Sequence, residues 1–329
     1  MKKALITGIA GFAGSHLAEL LLSEKFDVYG FYHPQHSTEN LRSIKDSINL
    51  IDCDILKAKS TQEKVLKINP DFVFHLAAFS SPPKSFENPA ETLNNNIVGQ
   101  INLLEALVKI KSKAKILIIG SSDEYGIVEE KYLPVNEETP LAPLSPYAVS
   151  KIAQDMLGLQ YFLHNKLNIV RIRPFNHIGP RQSLDFVVPS FASQIAQVEK
   201  KGKGVMKVGN LESSKDFTDV RDMVSAYLLA LEKGKVGEVY NIGSGKAVKI
   251  KEILDILISL STATIEVKQE KSRVRSTDFK TVYADYSKFK KDTGWQPRTP
   301  LLKTLSDTIE YERIKLEARN SKSETNPNV

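Results

Sequence analysis

The chain has 329 residues, 41% hydrophobic and 26% charged, the composition of a globular protein with room for one large domain and a smaller one. Its net charge of +6 comes from scattered lysines, grouped only at 111–115 and 200–203, with no basic helix carrying interleaved aromatics, so nucleic acid is not an expected partner. A single cysteine, Cys53, excludes an internal disulfide framework, the start MKKALITG is too short an apolar stretch for a signal peptide, and no run approaches the roughly 20 residues of a membrane span, so a cytoplasmic protein away from the membrane is expected.

Residues 3–8 predict a strand entering TGIAGFAGSHLAELLL, where Gly8, Gly11 and Gly14 stand three apart ahead of a helical pattern through Leu17, Leu20 and Leu21. Glycines between a first strand and a first helix permit a tight turn, close approach of the backbone to a pyrophosphate, and close packing of helix on sheet. The helix N-terminus then offers free N–H groups to the phosphates. Gly8, Gly11, Phe12, Ala13 and Gly14 are therefore candidate dinucleotide contacts.

The second strand, 27–32, ends in Gly30-Phe31-Tyr32-His33 without the acid that would bind a ribose 2′-hydroxyl. Its absence removes repulsion against a 2′-phosphate, so NADP(H) is expected over NAD(H), with His33 or Arg42 beside that phosphate. A third strand, 48–52, leads to Asp54 and Ile55 at the adenine. A fourth, 71–76, enters HLAAFSSP, where Leu76, Ala77 and Ala78 let a cofactor pass close to the strand end, while His75 reads as a packed histidine. Residues 94–108 show a helical period through Ile97, Ile101, Leu104 and Leu107.

The fifth strand, 116–119, runs into GSSDEYG, and SPYAVSK opens a helix with Ser145 as N-cap and Pro146 in its first position. Tyr147 and Lys151 lie four apart on one helix face, and Ser121 lies at the strand end. A hydroxyl, a phenol and an ammonium make a proton-transfer site. A free tyrosine has a pKa of about 10, and a nearby cation is expected to lower it toward the working range. The loop 126–144, with three prolines, is long for a plain connection. A sixth strand is expected at 168–173.

Strands alternating with helices predict an α/β fold with a doubly wound parallel sheet. Beyond Arg173 the pattern changes to turn-rich PFNHIGPRQSLDFVVP, a helix at 188–198, short extended pieces at 205–208 and 216–218, and a helix at 223–231. A strand at 239–242 is expected to rejoin the main sheet, followed by helices at 250–260, 286–291 and 301–316. The expected division is a dinucleotide-binding domain over 1–174 and 217–245, a smaller interleaved lobe over 175–216 and 246–317, and an unstructured tail over 318–329. The six histidines form no i, i+4 pair, and no metal site is expected.

TGIAGFAG, HLAA, Asn96-x-x-Gly99, Ser121 and Tyr147-x-x-x-Lys151 together resemble the extended short-chain dehydrogenase/reductases that act on nucleotide sugars, over nearly the whole chain to about residue 312. Within that family GSSDEYG, SPYAVSK, RPFNHIGPRQSLDFVVPSFASQI and VGNLESSKDFTDVRD look most like the GDP-4-keto-6-deoxy-D-mannose reductases, with the GDP-mannose 4,6-dehydratases next. The resemblance implies a Rossmann fold, an NAD(P)H cofactor, and reduction at C4 of a GDP-linked 4-keto-6-deoxy sugar to GDP-D-rhamnose. Tyr147 would give the proton, Lys151 bind the nicotinamide ribose and Ser121 hold the carbonyl oxygen. Asn96 and Pro174 would stand at the cofactor, and Ser80, Ser122 and Asn176 at the sugar and diphosphate. Phe186, Val187 and Val188 would run beside the base, Lys215 would replace an arginine ahead of DFT, and Arg275 and Asp278 would meet diphosphate and ribose. Asp123 occupies the place of the carboxylate with which the family's dehydratases remove the C5 proton, so dehydration is the alternative, with another nucleotide-sugar 4-reductase or epimerase behind it. The resemblance also implies a homodimer joined through a four-helix bundle of 94–108 and 147–162.

Overall fold

Phe72–His75 and Lys115–Ile119 are near-continuous apolar runs, and eight of their nine residues are buried, as strands covered on both faces require. They are β4 and β5 of a seven-stranded sheet seen in the computed structural model, which describes residues 1–270 and 281–324, with side chains through Ala318. The other strands of this sheet are β1 (Lys3–Thr7), β2 (Asp27–Tyr32), β3 (Asn49–Asp52), β6 (Asn168–Pro174) and β10 (Val239–Ile242). Their order is β10-β6-β5-β4-β1-β2-β3, and every pairing is parallel. The chain leaves β1 in one direction and β4 in the other, so a crevice opens at the carboxyl ends of these two strands.

Helices cover both faces. On one, α1 (Phe12–Ser23) and α8 (Val220–Lys233) bury Leu17, Leu21, Met223 and Tyr227 against Ile6, Phe74, Leu117 and Ile172. On the other, α2 (Ala58–Ile68), α5 (Gly99–Lys109) and α6 (Pro146–Asn165) bury Val65, Leu103, Leu107 and Tyr161 against Leu5, Val73, Ile116 and Ile169. Each such aliphatic side chain contributes about 1.5–3 kcal/mol on burial. Between β4 and α5 the chain passes through α3 (Pro82–Glu87), α4 (Pro89–Leu93) and a wide π-turn, Asn94–Val98, so the single helix expected from residue 94 starts earlier and is interrupted.

A second core belongs to the lobe. Here α7 (Val187–Glu199), α9 (Ile250–Ser259) and α11 (Leu301–Glu324) enclose Val188, Phe191, Ile195, Ile253, Leu257, Leu305 and Ile309. The strands β7 (Asn176–Ile178), β9 (Ser214–Asp219), β11 (Ala247–Lys249) and β13 (Thr281–Val282) form one small sheet, and β8 (Lys203–Val208) pairs with β12 (Thr264–Gln269). Two details differ from expectation. The helix α10 (Ser287–Thr293) and Trp295 pack into the first core through Phe289 and Tyr240, so the chain returns to the large domain inside the span assigned to the lobe. The last helix also continues through Glu324, since neither glycine nor proline interrupts 301–324, and it takes in most of the tail expected to lack structure. Among the described residues no helix is long and apolar enough to cross a membrane.

Candidate active site

The crevice widens into a cleft of about 1500 Å³ between the large domain and the lobe. That exceeds the ~300–1,000 Å³ of a usual small-ligand pocket and suits two ligands end to end. At its floor the ends of β1 and β4 meet. Thr7 Oγ1 and His75 Nδ1 share a hydrogen bond of 2.8 Å, and the Ala77 N–H donates to Thr7 Oγ1 at 3.1 Å. His75 is thus a packed histidine, its pKa pushed down to about 3 by burial and the Lys151 charge. Gly8 has φ +71°, and a Cβ there would stand 2.9 Å from the Ala77 backbone. A Cβ on Gly14 would stand 2.4 Å from the Gly8 carbonyl oxygen. Only glycine leaves this space beside the start of α1, which fits a pyrophosphate against the helix N-terminus.

The end of the cleft beside α1 is braced from the lobe. Arg181, in the left-handed region at φ 76°, donates to both Glu19 carboxylate oxygens at 2.8 and 2.7 Å and to His16 Nδ1 at 2.6 Å. His16 Nε2 lies 2.9 Å from the Pro180 carbonyl, and burial with the Arg181 charge holds its pKa down at about 4. Asn40 donates to the Ala10 carbonyl in the glycine loop at 3.1 Å. Of the two side chains expected at a 2′-phosphate, His33 lines the cleft beside His36, whereas Arg42 does not and instead pairs with Glu39 at 3.7 Å.

The far end of the cleft is built from two local pieces. After β5, Ser121 caps the short turn Ser122–Glu124, its hydroxyl accepting the Asp123 N–H at 3.1 Å and its own N–H donating to Glu124 Oε1 at 2.8 Å. At the start of α6, Ser145 Oγ accepts the Ala148 N–H at 3.1 Å and Pro146 fills the first position. The Tyr147 N–H donates to Ser85 Oγ at 3.1 Å, which anchors the turn that carries the phenol. Lys151 Nζ donates to the Ile119 carbonyl at 2.9 Å and stands 5.9 Å from the centre of the Tyr147 ring.

Electrostatics here depart from the sequence expectation. The Tyr147 phenol is pushed above its ordinary range, by burial first and then by the Asp123 charge, against a lowering hydrogen bond from Ser121. Desolvation outweighs the effect expected of the neighbouring cation. Lys151 is pushed down to about 8 by burial, with Glu124 acting in the opposite direction. Burial raises Asp123, and Lys215 partly opposes it. A protonated phenol and an ammonium make an acid that can give up a proton.

Ser121, Asp123, Tyr147 and Lys151 all line the cleft. So do the residues expected at a dinucleotide: Gly8, Gly11, Phe12, Ala13, Gly14, His33, Asp54, Ile55, Leu76, Ala77, Ala78 and Pro174. Ser80, Ser122, Asn176, Phe186, Val187, Val188 and Lys215 line the remainder. Asn96 does not line it. It is fully buried in the π-turn, where Oδ1 accepts the Phe79 N–H at 2.8 Å and Nδ2 donates to the Phe79 carbonyl at 3.1 Å and to Ser150 Oγ at 2.9 Å. It shapes the wall from behind. Arg275 and Asp278 lie outside the described residues. Sequence reasoning missed Tyr227, buried in α8 beside Tyr147, while His177, inside the NHIGPRQ stretch, stacks its ring on Phe12 at 5.7 Å. Tyr227 sits in no motif of its own, and only the fold brings it to the cleft.

Comparison with known proteins agrees with this geometry. The GDP-mannose 4,6 dehydratase family matches residues 5–308. The GDP-6-deoxy-D-mannose reductase of Pseudomonas aeruginosa is 35% identical over 306 residues, 92% of this chain and 95% of that protein. The solved structure of RMD from Pseudomonas aeruginosa complexed with NADPH superposes with a TM-score of 0.83 at 32% identity, covering 96% of this chain and 100% of that one. A UDP-glucose 4-epimerase of Thermus thermophilus in complex with NAD superposes with a TM-score of 0.83 at 27% identity, over 94% and 99% of the two chains. A glycine cradle at the β1–β4 crevice, a Ser–Tyr–Lys constellation at its far end, and a match over almost the whole length place this chain in the GDP-mannose 4,6-dehydratase family of NAD(P)-dependent extended short-chain dehydrogenase/reductases.

Proposed function

We propose that this protein reduces the C4 ketone of GDP-4-keto-6-deoxy-D-mannose to GDP-D-rhamnose, with Tyr147 as the proton donor. The observation that carries the reading is a phenol held protonated by burial beside Ser121 and Lys151, in a chain 35% identical to a GDP-6-deoxy-D-mannose reductase. The nicotinamide, when bound, supplies the hydride. Ser121 directs its hydroxyl at the carbonyl oxygen, where negative charge develops. Tyr147 gives its proton to that oxygen, and Lys151 holds the ribose and offsets the charge left on the phenolate. Asn176 and Lys215 hold the sugar and diphosphate, and Phe186, Val187 and Val188 flank the base. NADPH is the preferred reductant, because β2 ends without an acid and His33 and His36 face the cleft there.

Asp123 supports the second reading, dehydration of GDP-mannose. Its carboxyl lines the cleft and burial raises its pKa, as suits a base that removes a carbon-bound proton. One assay separates the two. GDP-4-keto-6-deoxy-mannose with NADPH should give one reduced sugar per NADPH consumed, faster than with NADH, and no consumption with either cofactor would overturn the reductase. Conversion of GDP-mannose without added reductant, abolished in Asp123→Asn, would establish the dehydratase.

The pairing of two copies belongs to the same proposal. On α6, Val149, Met156 and Leu163 recur every seventh residue and are 45%, 39% and 56% exposed. Ile97, Ile101 and Val108 on the neighbouring helical segment are only half-buried. Such a stripe suits a four-helix bundle formed with a second copy. Met156→Glu should convert a dimer to a monomer at micromolar concentration in light scattering, and an unchanged mass would count against this face.

A further inference from the structure

The stretch between β7 and α7, residues 179–186, is tied to both walls of the β1–β4 crevice. One wall is α1, which follows β1. The other is α3, which follows β4 and packs on α6, on the face of the sheet opposite α1. Residues 181–186 line the cleft between the two ties. At the first tie, Arg181 donates to the two Glu19 oxygens at 2.8 and 2.7 Å and to the Asn40 carbonyl at 3.2 Å. His16, held neutral, accepts from Arg181 at Nδ1 and donates from Nε2 to the Pro180 carbonyl at 2.9 Å. The Arg181 side chain is 13% exposed, and its left-handed backbone is a conformation that persists only where surrounding contacts hold it.

At the second tie, Lys84 Nζ on α3 donates to Asp185 Oδ2 at 2.7 Å, and Ser183 Oγ donates to the same oxygen at 3.1 Å. Lys84 and Asp185 stand 101 positions apart in the chain, and their side chains are 62% and 42% exposed. Ser85, the next residue, accepts the Tyr147 N–H, so this tie meets the large domain beside the proton donor. The two ties differ in kind. Arg181 is bidentate and shielded, the arrangement that gives the stronger charged contacts. The Lys84–Asp185 pair is a single-point contact of an exposed ammonium, open to water and screened by salt.

We propose that residues 179–186 are a strap across the dinucleotide cleft, hinged at Arg181 and latched by Lys84 and Asp185, and that opening of this latch sets how fast the cofactor leaves. The inference rests on the reading of the cleft as the site of an exchanged NADPH. A dinucleotide laid along the β1–β4 crevice, its pyrophosphate at the start of α1, lies between two walls that the strap joins. While both ties hold, the walls cannot part. The buried tie keeps the strap in register, and the exposed one is weak enough to open and reclose. A reductase exchanges its nicotinamide at every turnover, so a latch of modest strength suits it.

The test is the rate of NADPH release, followed by the loss of its fluorescence when loaded protein is mixed with excess NADP⁺ in a stopped-flow cell. It needs no sugar substrate. Lys84→Ala and Asp185→Ala should each speed release by about two- to fivefold, the usual worth of an exposed pair, and leave the urea midpoint of unfolding in place. The exchanged pair, Lys84→Glu with Asp185→Lys, should return the rate toward the wild type. Raising salt from about 0.1 to about 1 M should speed release from the wild type more than from either alanine variant. Arg181→Gln should instead lower the urea midpoint, because it unties the shielded hinge. Alanine variants that release at the wild-type rate overturn this inference alone, as does an exchanged pair that stays as fast as the single variants. A wild-type protein that does not bind NADPH overturns it together with the assignment of the cofactor.

Discussion

Tyr147→Phe should reduce turnover of the 4-keto sugar nucleotide by about 10²- to 10⁴-fold, the usual worth of a positioned general acid, while NADPH still binds. The phenol hydroxyl is the only group removed. The backbone of the residue stays tied to Ser85, Lys151 keeps its bond to the Ile119 carbonyl, and the glycine cradle lies at the other end of the cleft. Because burial and Asp123 push the Tyr147 pKa up, the phenol is protonated throughout the neutral range and is ready as an acid. The wild-type rate should therefore hold steady from pH 6 to about 8 and then fall as Lys151 gives up its charge. At saturating NADPH the Phe variant should lack that dependence, because no phenolate forms for Lys151 to offset and whatever rate survives comes from proximity and the Ser121 donor. Stopped-flow oxidation of NADPH measures both. Unchanged turnover would remove Tyr147 from the chemistry and leave a cofactor-binding protein whose reaction lies elsewhere.

Those parts of the site that depend on close neighbours along the chain are legible in the sequence alone. The glycine loop, the Ser145 cap and the Tyr147–Lys151 spacing each lie within a few residues, where backbone geometry follows from residue type. The strands of the central sheet are legible too, because parallel strands covered on both sides leave continuous apolar runs. What stays hidden depends on contacts between distant segments. Asn96 sits inside a family motif, yet its amide serves Phe79 and Ser150 rather than the cleft. Arg42 follows the second strand closely enough to suggest a phosphate clamp, but it lies on the open surface beside Glu39 and does not line the cleft. Lys151, visible four residues away, predicts a lowered Tyr147 pKa, whereas the desolvation that raises it is invisible in sequence. Glu124 reads as an ordinary turn residue until β6 brings Arg173 to it from 49 positions away.

That same long-range cluster sets the second large expectation. Asp155→Ala should destabilise the protein by about 3–5 kcal/mol, the cost of breaking a buried ion pair from one side. Asp155 lies one helical turn beyond Lys151 and accepts from Arg171 Nη1 at 2.8 Å and from Arg173 Nε and Nη2 at 2.9 and 2.6 Å. None of the three side chains is more than 7% exposed. Without the carboxylate, two guanidiniums remain in the interior, and among the described residues only Arg173 has another carboxyl, Glu124, beside it. Moving β6 displaces Pro174 on the cleft wall and loosens α6, so NADPH affinity should fall along with stability. Urea unfolding measures the first effect and cofactor titration the second. A triple variant that also replaces Arg171 and Arg173 with methionine should recover much of the lost stability, because the penalty comes from unpaired charge rather than from lost packing. It should not recover activity, since Tyr125 and Glu124, on the turn that carries Ser121, would then lack the guanidinium of Arg173 beside them. If Asp155→Ala unfolds at the wild-type urea concentration, the cluster does not hold α6 to β6, and the placement of Lys151 must rest on its bond to Ile119 alone.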